Sequence, residues 1–313
     1  MTTPNRTHDG APTAARTPLA PGAPLSRAIP AGATYTKMPT RLRRALSTAG
    51  WWVASVGLFA ALWELAWAAG ILNPLLMPPP HVFLRHFGEQ AKFFDPATIG
   101  ASARPPVVAL LSTVLATSLR VLAGLTLAFV GSLVVGIFVS YVKLAGRLML
   151  PTLTLLAPIS PVAWLPVAIF LFGIGNGPAV FMVFIGIFFI MTMATISQIA
   201  GVPATYLNVA QTMGATRAQT LRRVILPAIL PGIFLVLRMN LFAAWIVVLI
   251  AEAVGVGSGL GQVVIQARNT FNASLVFFTM TIIGLTGYTF DYLLRLVQRR
   301  LLWWESTGVA VGK

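Results

Sequence analysis

From residue 50 onward, apolar runs of about twenty residues recur along the chain, separated by short polar or proline-containing breaks. A helix rises about 1.5 Å per residue, so such a run can cross the hydrocarbon layer of a bilayer. Six runs are predicted as spans, at roughly 51–70, 115–140, 150–172, 178–198, 228–253 and 274–296. No stretch alternates apolar and polar positions in the manner of a membrane strand. Inside a bilayer every backbone N–H and C=O needs a protein partner, so the fold class is expected to be all-α. The third run differs from the others. Pro158, Pro161 and Pro166 each remove a backbone donor, and a break or kink is expected there.

Residues 1–45 follow no apolar period and are rich in Ala, Pro, Thr and Gly, with no aromatic before Tyr35. Such a segment buries too little surface to offset its ordering entropy and is expected to be a disordered basic tail. Residues 1–44 also lack the apolar core of a secretory signal. The expected organisation is this tail, a six-helix membrane domain over 46–304, and a short cytoplasmic tail over 305–313.

Composition changes the picture by excluding whole classes. Hydrophobic residues make up 57% of the chain and charged residues only 9%, with a mean hydropathy of +0.83. An average soluble domain carries about 25% charged residues, so this is an integral membrane protein. The absence of cysteine removes disulfides, thiolate metal sites and cysteine nucleophiles. His81 and His86 lie five apart and could share a helix face, but two ligands without a third make no metal site, and none is expected.

The net charge of +15 would suit a nucleic-acid partner if the basic residues clustered on one surface. They sort by loop instead. With the N-terminus in the cytoplasm, the inside carries Arg6, Arg16, Arg27, Lys37, Arg41, Arg43, Arg44, Lys143, Arg147, Arg217, Arg222, Arg223, Arg295, Arg299, Arg300 and Lys313. The outside carries only Arg85, Lys92, Arg104 and Arg268. That asymmetry is the positive-inside bias, with both termini cytoplasmic and no nucleic acid implied.

Residues 199–227 form the longest inside connection, and their composition is not that of a loose loop. Pro203-Ala204-Thr205 can start a helix running from Tyr206 to Met213, and Gly214 suits its left-handed end. A second short helix is predicted from Thr216 to Val224, after which Pro227 opens the fifth span. On physical grounds alone this elbow fits either a docking element or an amphipathic hairpin lying on anionic lipid.

Asn208-Val209-Ala210, Gly214, and Ile225-Leu226-Pro227, with thirteen residues from Gly214 to Pro227, resemble the EAA loop of ABC-importer permeases. Asn208 stands where that family usually has Glu, and Val209 where it has Ala. The resemblance extends through Trp63-Glu64, the run Asn73 to Pro80, Ser118-Leu119-Arg120 with Gly124, Ala251-Glu252 with Gly259-Leu260-Gly261, and Arg299 to Trp303. Those segments are similar to the nitrate/sulfonate/taurine/bicarbonate permease group. Residues 158–166 and 206–210 look closest to its nitrate and bicarbonate branch.

The resemblance implies a type I importer arrangement in a bacterial inner membrane. The elbow residues Tyr206, Asn208, Val209, Ala210, Gly214, Ile225, Leu226 and Pro227 would dock into cytoplasmic ABC ATPase subunits. It also implies a second permease copy and a periplasmic or lipid-anchored substrate-binding protein, all within membrane lipid. This chain would bind no cofactor, ATP and Mg belonging to the ATPase partners. No G-x-x-x-x-G-K-[ST] phosphate loop occurs in it. The implied cargo is a small anion such as nitrate, bicarbonate, a sulfonate or taurine.

Ionisable groups inside spans are costly and are therefore site candidates. Glu64 near the outer interface, Arg120 at the start of the second span, and Glu252 at the end of the fifth fit structural or gating roles. Glu252 would repel an anion, which favours its holding the Gly-rich segment that follows. Arg238 is deeper, and either borders a polar passage with Asn240 or pairs with a neighbouring helix. Broken helices commonly line substrate passages, so Ser160 and Trp164 are expected to face a cavity. A self-sufficient secondary transporter would call for inverted repeats and mid-membrane acids, and a membrane enzyme for clustered catalytic groups. The seven acids are scattered, and neither alternative finds its pattern here.

Overall fold

The computed structural model describes residues 40–73, 75–94 and 105–304. The expected tails lie outside these residues, apart from residues 40–45. Those six belong to the first helix, α1, which runs Thr40–Ala68. The tail therefore ends earlier than expected, because Arg41 to Leu46 are good helix formers that extend the helix ahead of its apolar run. The chain divides at Val56 into two compact units. The described part of the first is the leading half of α1, with Trp51, Val53 and Val56 exposed.

From Gly57 onward, after the end of α1, the order is α2 (Pro80–Arg85), α3 (Phe87–Lys92), α4 (Pro106–Tyr141), α5 (Lys143–Leu156), a 3₁₀ turn at Pro161–Trp164, and α6 (Leu165–Phe172). Next come α7 (Asn176–Ala200), α8 (Ala204–Thr212), α9 (Arg217–Thr220), a π turn at Leu221–Ile225, and α10 (Leu226–Ala251). A second π turn at Glu252–Val256, α11 (Leu260–Asn269) and α12 (Ala273–Leu301) complete the described residues, among which there is no strand.

Five stretches are long and apolar enough to cross a membrane: Gly50–Ala68, Pro106–Tyr141, Asn176–Ala200, Arg217–Val256 and Ala273–Leu301. The predicted third span is a pair, Lys143–Leu156 and Pro161–Phe172, bent by 99°. Close approaches fix the directions of the others. A Cβ at Gly124 would lie 2.5 Å from Val183 Cβ, and one at Gly136 would lie 2.6 Å from Thr195 Cγ2. Twelve residues along one helix match twelve along the other, so α4 and α7 run parallel, held by small residues as membrane helices commonly are. Gly186 beside Val247 and Gly232 beside Gln198 make α10 antiparallel to α7. Arg238 with Asp291 and Trp245 with Gly287 make α12 antiparallel to α10.

The bent pair must therefore carry the chain back across the layer, and it counts as the sixth crossing. α8 and α9 sit at one face, with the ends of α4 and α12. α2, α3 and α11 sit at the other. The main core, including Val121, Met182, Val183, Ile187, Ile233, Leu241, Val248 and Leu260, lies where α4, α7 and α10 meet.

The break follows from its prolines. Pro161 pushes the preceding residue out of the helical region, and Ser160 is extended at φ −56° and ψ 134°. Pro161 opens the 3₁₀ turn, and its ring packs against α7 at Gly186.

Candidate functional site

The connection between α7 and α10 is a closed, locally bonded elbow. α8 begins after Pro203 and ends at Thr212, a shift of one or two residues from the predicted 206–213. Gly214 takes φ +73°, a value that glycine reaches without strain. The Ala215 amide donates to Ala210 O at 3.0 Å and the Gly214 amide to Gln211 O at 2.9 Å, so the last carbonyls of α8 are paired. Two residues later Thr216 caps α9. Its backbone amide donates to Gln219 Oε1 at 2.8 Å, and the Gln219 amide donates back to Thr216 Oγ1 at 3.3 Å.

One prediction is corrected here. The second elbow helix is not separate from the fifth span, because Arg217–Val256 is continuous. Pro227 lacks the N–H for a bond to Arg223 and would press on that carbonyl, and the π turn at Leu221–Ile225 takes up the mismatch without breaking the helix.

The elbow has two faces. Ala210 is buried, and Val202, Leu207 and Leu221 pack against the main core. Ile225 is buried, with Leu226 half-buried against the same core and Pro227 half-buried. Tyr206, Val209 and Met213 recur at spacings of three and four and form an exposed apolar stripe, 54%, 54% and 81% accessible. Asn208 is also exposed. An apolar stripe on a rigid, capped helix suits a partner's groove.

At the opposite face, Arg120 and Glu252 form a buried pair. Arg120 Nη1 donates to Glu252 Oε1 at 2.6 Å and to Ser258 O at 3.1 Å. Nη2 donates to Ser258 Oγ at 2.9 Å, and Nε to Asn176 Oδ1 at 2.8 Å. The second Glu252 oxygen accepts the Gly261 amide at 3.0 Å. Thr117 Oγ1 accepts the Leu260 amide at 3.1 Å. Gly259 takes φ +110°, and a Cβ there would overlap the Glu252 carboxyl group. Glu252 thus holds the Gly-rich segment, as its charge suggested.

Glu64, also near this face, accepts the His81 backbone amide at 3.1 Å and lies 2.9 Å from His81 Nδ1. His86 instead turns its Nδ1 to Val82 O. The two histidines do not share a helix face, since α2 ends between them. Among the described residues no cluster of three or more potential ligands could hold a metal.

The four proposed pathway residues are not all brought together. Ser160 is exposed at the break, and Trp164, four residues on, has a buried Nε1 with no acceptor. Pro161 adjoins Gly186, which adjoins Val247. At about 100° per residue, Asn240 lies on the same face of α10 as Val247, seven positions away. Arg238, nine positions from Val247, lies on the opposite face. Its Nε donates to Asp291 Oδ1 at 2.6 Å, and the other Asp291 oxygen is held by Arg295. Asn240 Nδ2 donates to Val236 O on its own helix. Sequence reasoning passed over Asp291, although its spacing of four from Arg295 on one helix was a visible signal.

A family model described as binding-protein-dependent transport system inner membrane component matches residues 121–303, which hold the elbow and most of the bundle. The chain belongs to this family. It is 33% identical over 197 residues to a probable ABC transporter permease protein of Brucella abortus (strain 2308), covering 63% of this chain and 79% of the relative. It is 28% identical over 255 residues to the taurine transport system permease protein of Escherichia coli (strain K12), covering 80% and 90%.

Among solved structures, a chain of the MetNI methionine ABC transporter in an inward-facing conformation is similar in fold, with a TM-score of 0.53 and 22% identity. The likeness covers 62% of this chain and 94% of that one. This protein is therefore a multi-pass inner-membrane permease component of a binding-protein-dependent transport system, and its fold is that of an ABC-importer permease.

Proposed function

We propose that this permease moves a small anion inward as one of two copies, driven by separate ABC ATPase subunits that grip the α8–α9 elbow. The observation that carries this is the exposed stripe of Tyr206, Val209 and Met213 on a helix that is capped at its C-terminal end and joined by the tight Gly214 turn to α9, which is itself continuous with α10. Movement of a partner bound there is delivered to the α10 backbone through one short, hydrogen-bonded turn at 213–216.

Charge supports the orientation. Among the described residues of the elbow face are Lys143, Arg147, Arg217, Arg222, Arg223, Arg295, Arg299 and Arg300, against Arg85, Lys92 and Arg268 at the other. The elbow face is thus cytoplasmic, along with both termini, and a substrate-binding protein delivers cargo to the outer face. The anion class rests on similarity to permeases named for taurine, aliphatic sulfonates, nitrate and bicarbonate. The pathway runs past the break at Ser160 and Trp164 and the Asn240 face of α10. The Trp164 indole N–H is buried at that break without an acceptor, a donor that becomes available to an anion when the break opens during transport.

The test is uptake of candidate anions into proteoliposomes containing the permease, its ATPases and its binding protein. Uptake is expected only when all three are present with ATP. Val209→Glu, which puts a charge into the stripe, is expected to abolish stimulation of ATP hydrolysis while the permease still inserts. Uptake without the ATPases, or full stimulation in Val209→Glu, contradicts the proposal.

A further inference from the structure

The two ends of the bundle are built differently. At the outer end, the Arg120–Glu252 clasp joins α4, the first residue of α7, the π turn after α10 and the turn into α11, across as many as 138 positions of sequence. Arg120 is 6% exposed and Glu252 fully buried. The guanidinium has acceptors on all three nitrogens, and both carboxylate oxygens are bonded. Parting them would strand two charges in a low-dielectric interior, and nothing within the clasp offers either a replacement partner.

Toward the elbow the same helices meet through small residues instead of buried charges, α4 on α7 at Gly136–Thr195 and α7 on α10 at Gly232–Gln198. A cavity of about 510 Å³ opens between the end of α7 and the start of α10, beside Gln198, Gly201, Pro227 and Pro231. A second, of about 290 Å³, lies at mid-bundle among α4, α10 and α12, beside the Phe129–Phe234 ring contact.

We propose that the Arg120–Glu252 clasp is a fixed pivot that stays shut through the transport cycle. The outer ends of α4, α7, α10 and α11 then move as one body, the helices swing at the elbow end, and the outer opening forms along the seam between two copies. Arg120, Glu252 and Thr117 are positioning residues in this scheme, not substrate contacts. The inference rests on the proposed drive through the elbow.

The Leu260 and Gly261 amides are natural reporters, because their acceptors are clasp side chains. Hydrogen exchange is measured on the full reconstituted complex, nucleotide-free and then trapped with ATP on a hydrolysis-deficient ATPase. Both amides are expected to stay equally protected in the two states while exchange in α8 changes. Exchange at Leu260 and Gly261 accelerating by about tenfold or more in either state makes the clasp a gate and overturns the pivot. Unchanged α8 exchange in a complex that still transports counts against the elbow drive, and leaves the two amides to decide the pivot separately.

Thr117→Val, which removes the acceptor for Leu260 but leaves the ion pair, supplies a second measurement. Anion moved per ATP hydrolysed is expected to fall several-fold at an unchanged hydrolysis rate, beyond the modest drop in melting temperature that the unpaired Leu260 amide brings. A wild-type ratio in that variant, with its Leu260 amide exchanging faster, also overturns the proposal.

Discussion

At Gly214 the backbone takes φ +73° with open space around the missing Cβ, so a substitution there meets conformational strain and no clash. Gly214→Val is expected to cost about 1–2 kcal/mol locally and to loosen the turn between α8 and α9. Membrane insertion should persist while ATPase stimulation and uptake fall together, which a paired hydrolysis and uptake assay reads. Trp164→Phe separates two roles for one side chain. It keeps an aromatic ring, though a smaller one, and deletes a buried donor without an acceptor, whose desolvation costs about 1–3 kcal/mol. The melting temperature is expected to hold or rise while the anion concentration for half-maximal uptake increases. Arg238 behaves otherwise, because it is already engaged with Asp291. A hydrogen bond to a charged group contributes about 1.5–3 kcal/mol, and the 35% exposure of the Arg238 side chain puts this one at the low end. Arg238→Gln is expected to lower melting temperature and uptake in parallel, with Arg238→Lys intermediate. Reduced uptake at an unchanged melting temperature would return Arg238 to the pathway.

At the scale of the element, the break between α5 and α6 is set by covalent chemistry. Replacing Pro158, Pro161 and Pro166 together by alanine restores three donors and permits a straighter helix. Uptake is expected to drop with insertion intact, and proton-detected or infrared measurement should show added helix. Apolar length alone disclosed five spans and the location of the sixth, because twenty residues without charge admit few other structures in a bilayer. The elbow was legible through Pro203, Gly214 and Pro227, which mark helix ends by what their backbones can do. What escaped was set by contacts between distant segments. α11 is short and polar enough to pass for loop, and its place depends on Glu252 and Thr117. The π turn at 252–256 has no local signature, and the one at 221–225 is foreshadowed only by Pro227. The pairing of Arg120 with Glu252 joins residues 132 apart, and no periodicity reports such a pair.

Across the whole molecule, direction is fixed by α4 and α7 lying parallel along Gly124–Val183 and Gly136–Thr195. Enlarging either glycine drives a side chain into a Cβ atom, which cannot rotate aside. Gly136→Leu is expected to part the helices and cost about 1–3 kcal/mol, read as a lower melting temperature and lower yield in membranes. The same parallel run bears on how the protein is made. Two neighbouring helices that enter the membrane in the same direction need a return crossing between them, and here it is supplied by pieces of fourteen and eight residues with a short turn. Each piece is too short to be recognised as a span during synthesis, where about twenty apolar residues are needed. The return crossing is therefore expected to be completed late, after α7 has emerged and can draw α6 in against it. The segment at the proline break is thus expected to enter the lipid only after α7. A chain truncated after Gly175 is left with its sixth crossing at the surface, an outcome that thiol labelling of single cysteines in this cysteine-free protein reads directly.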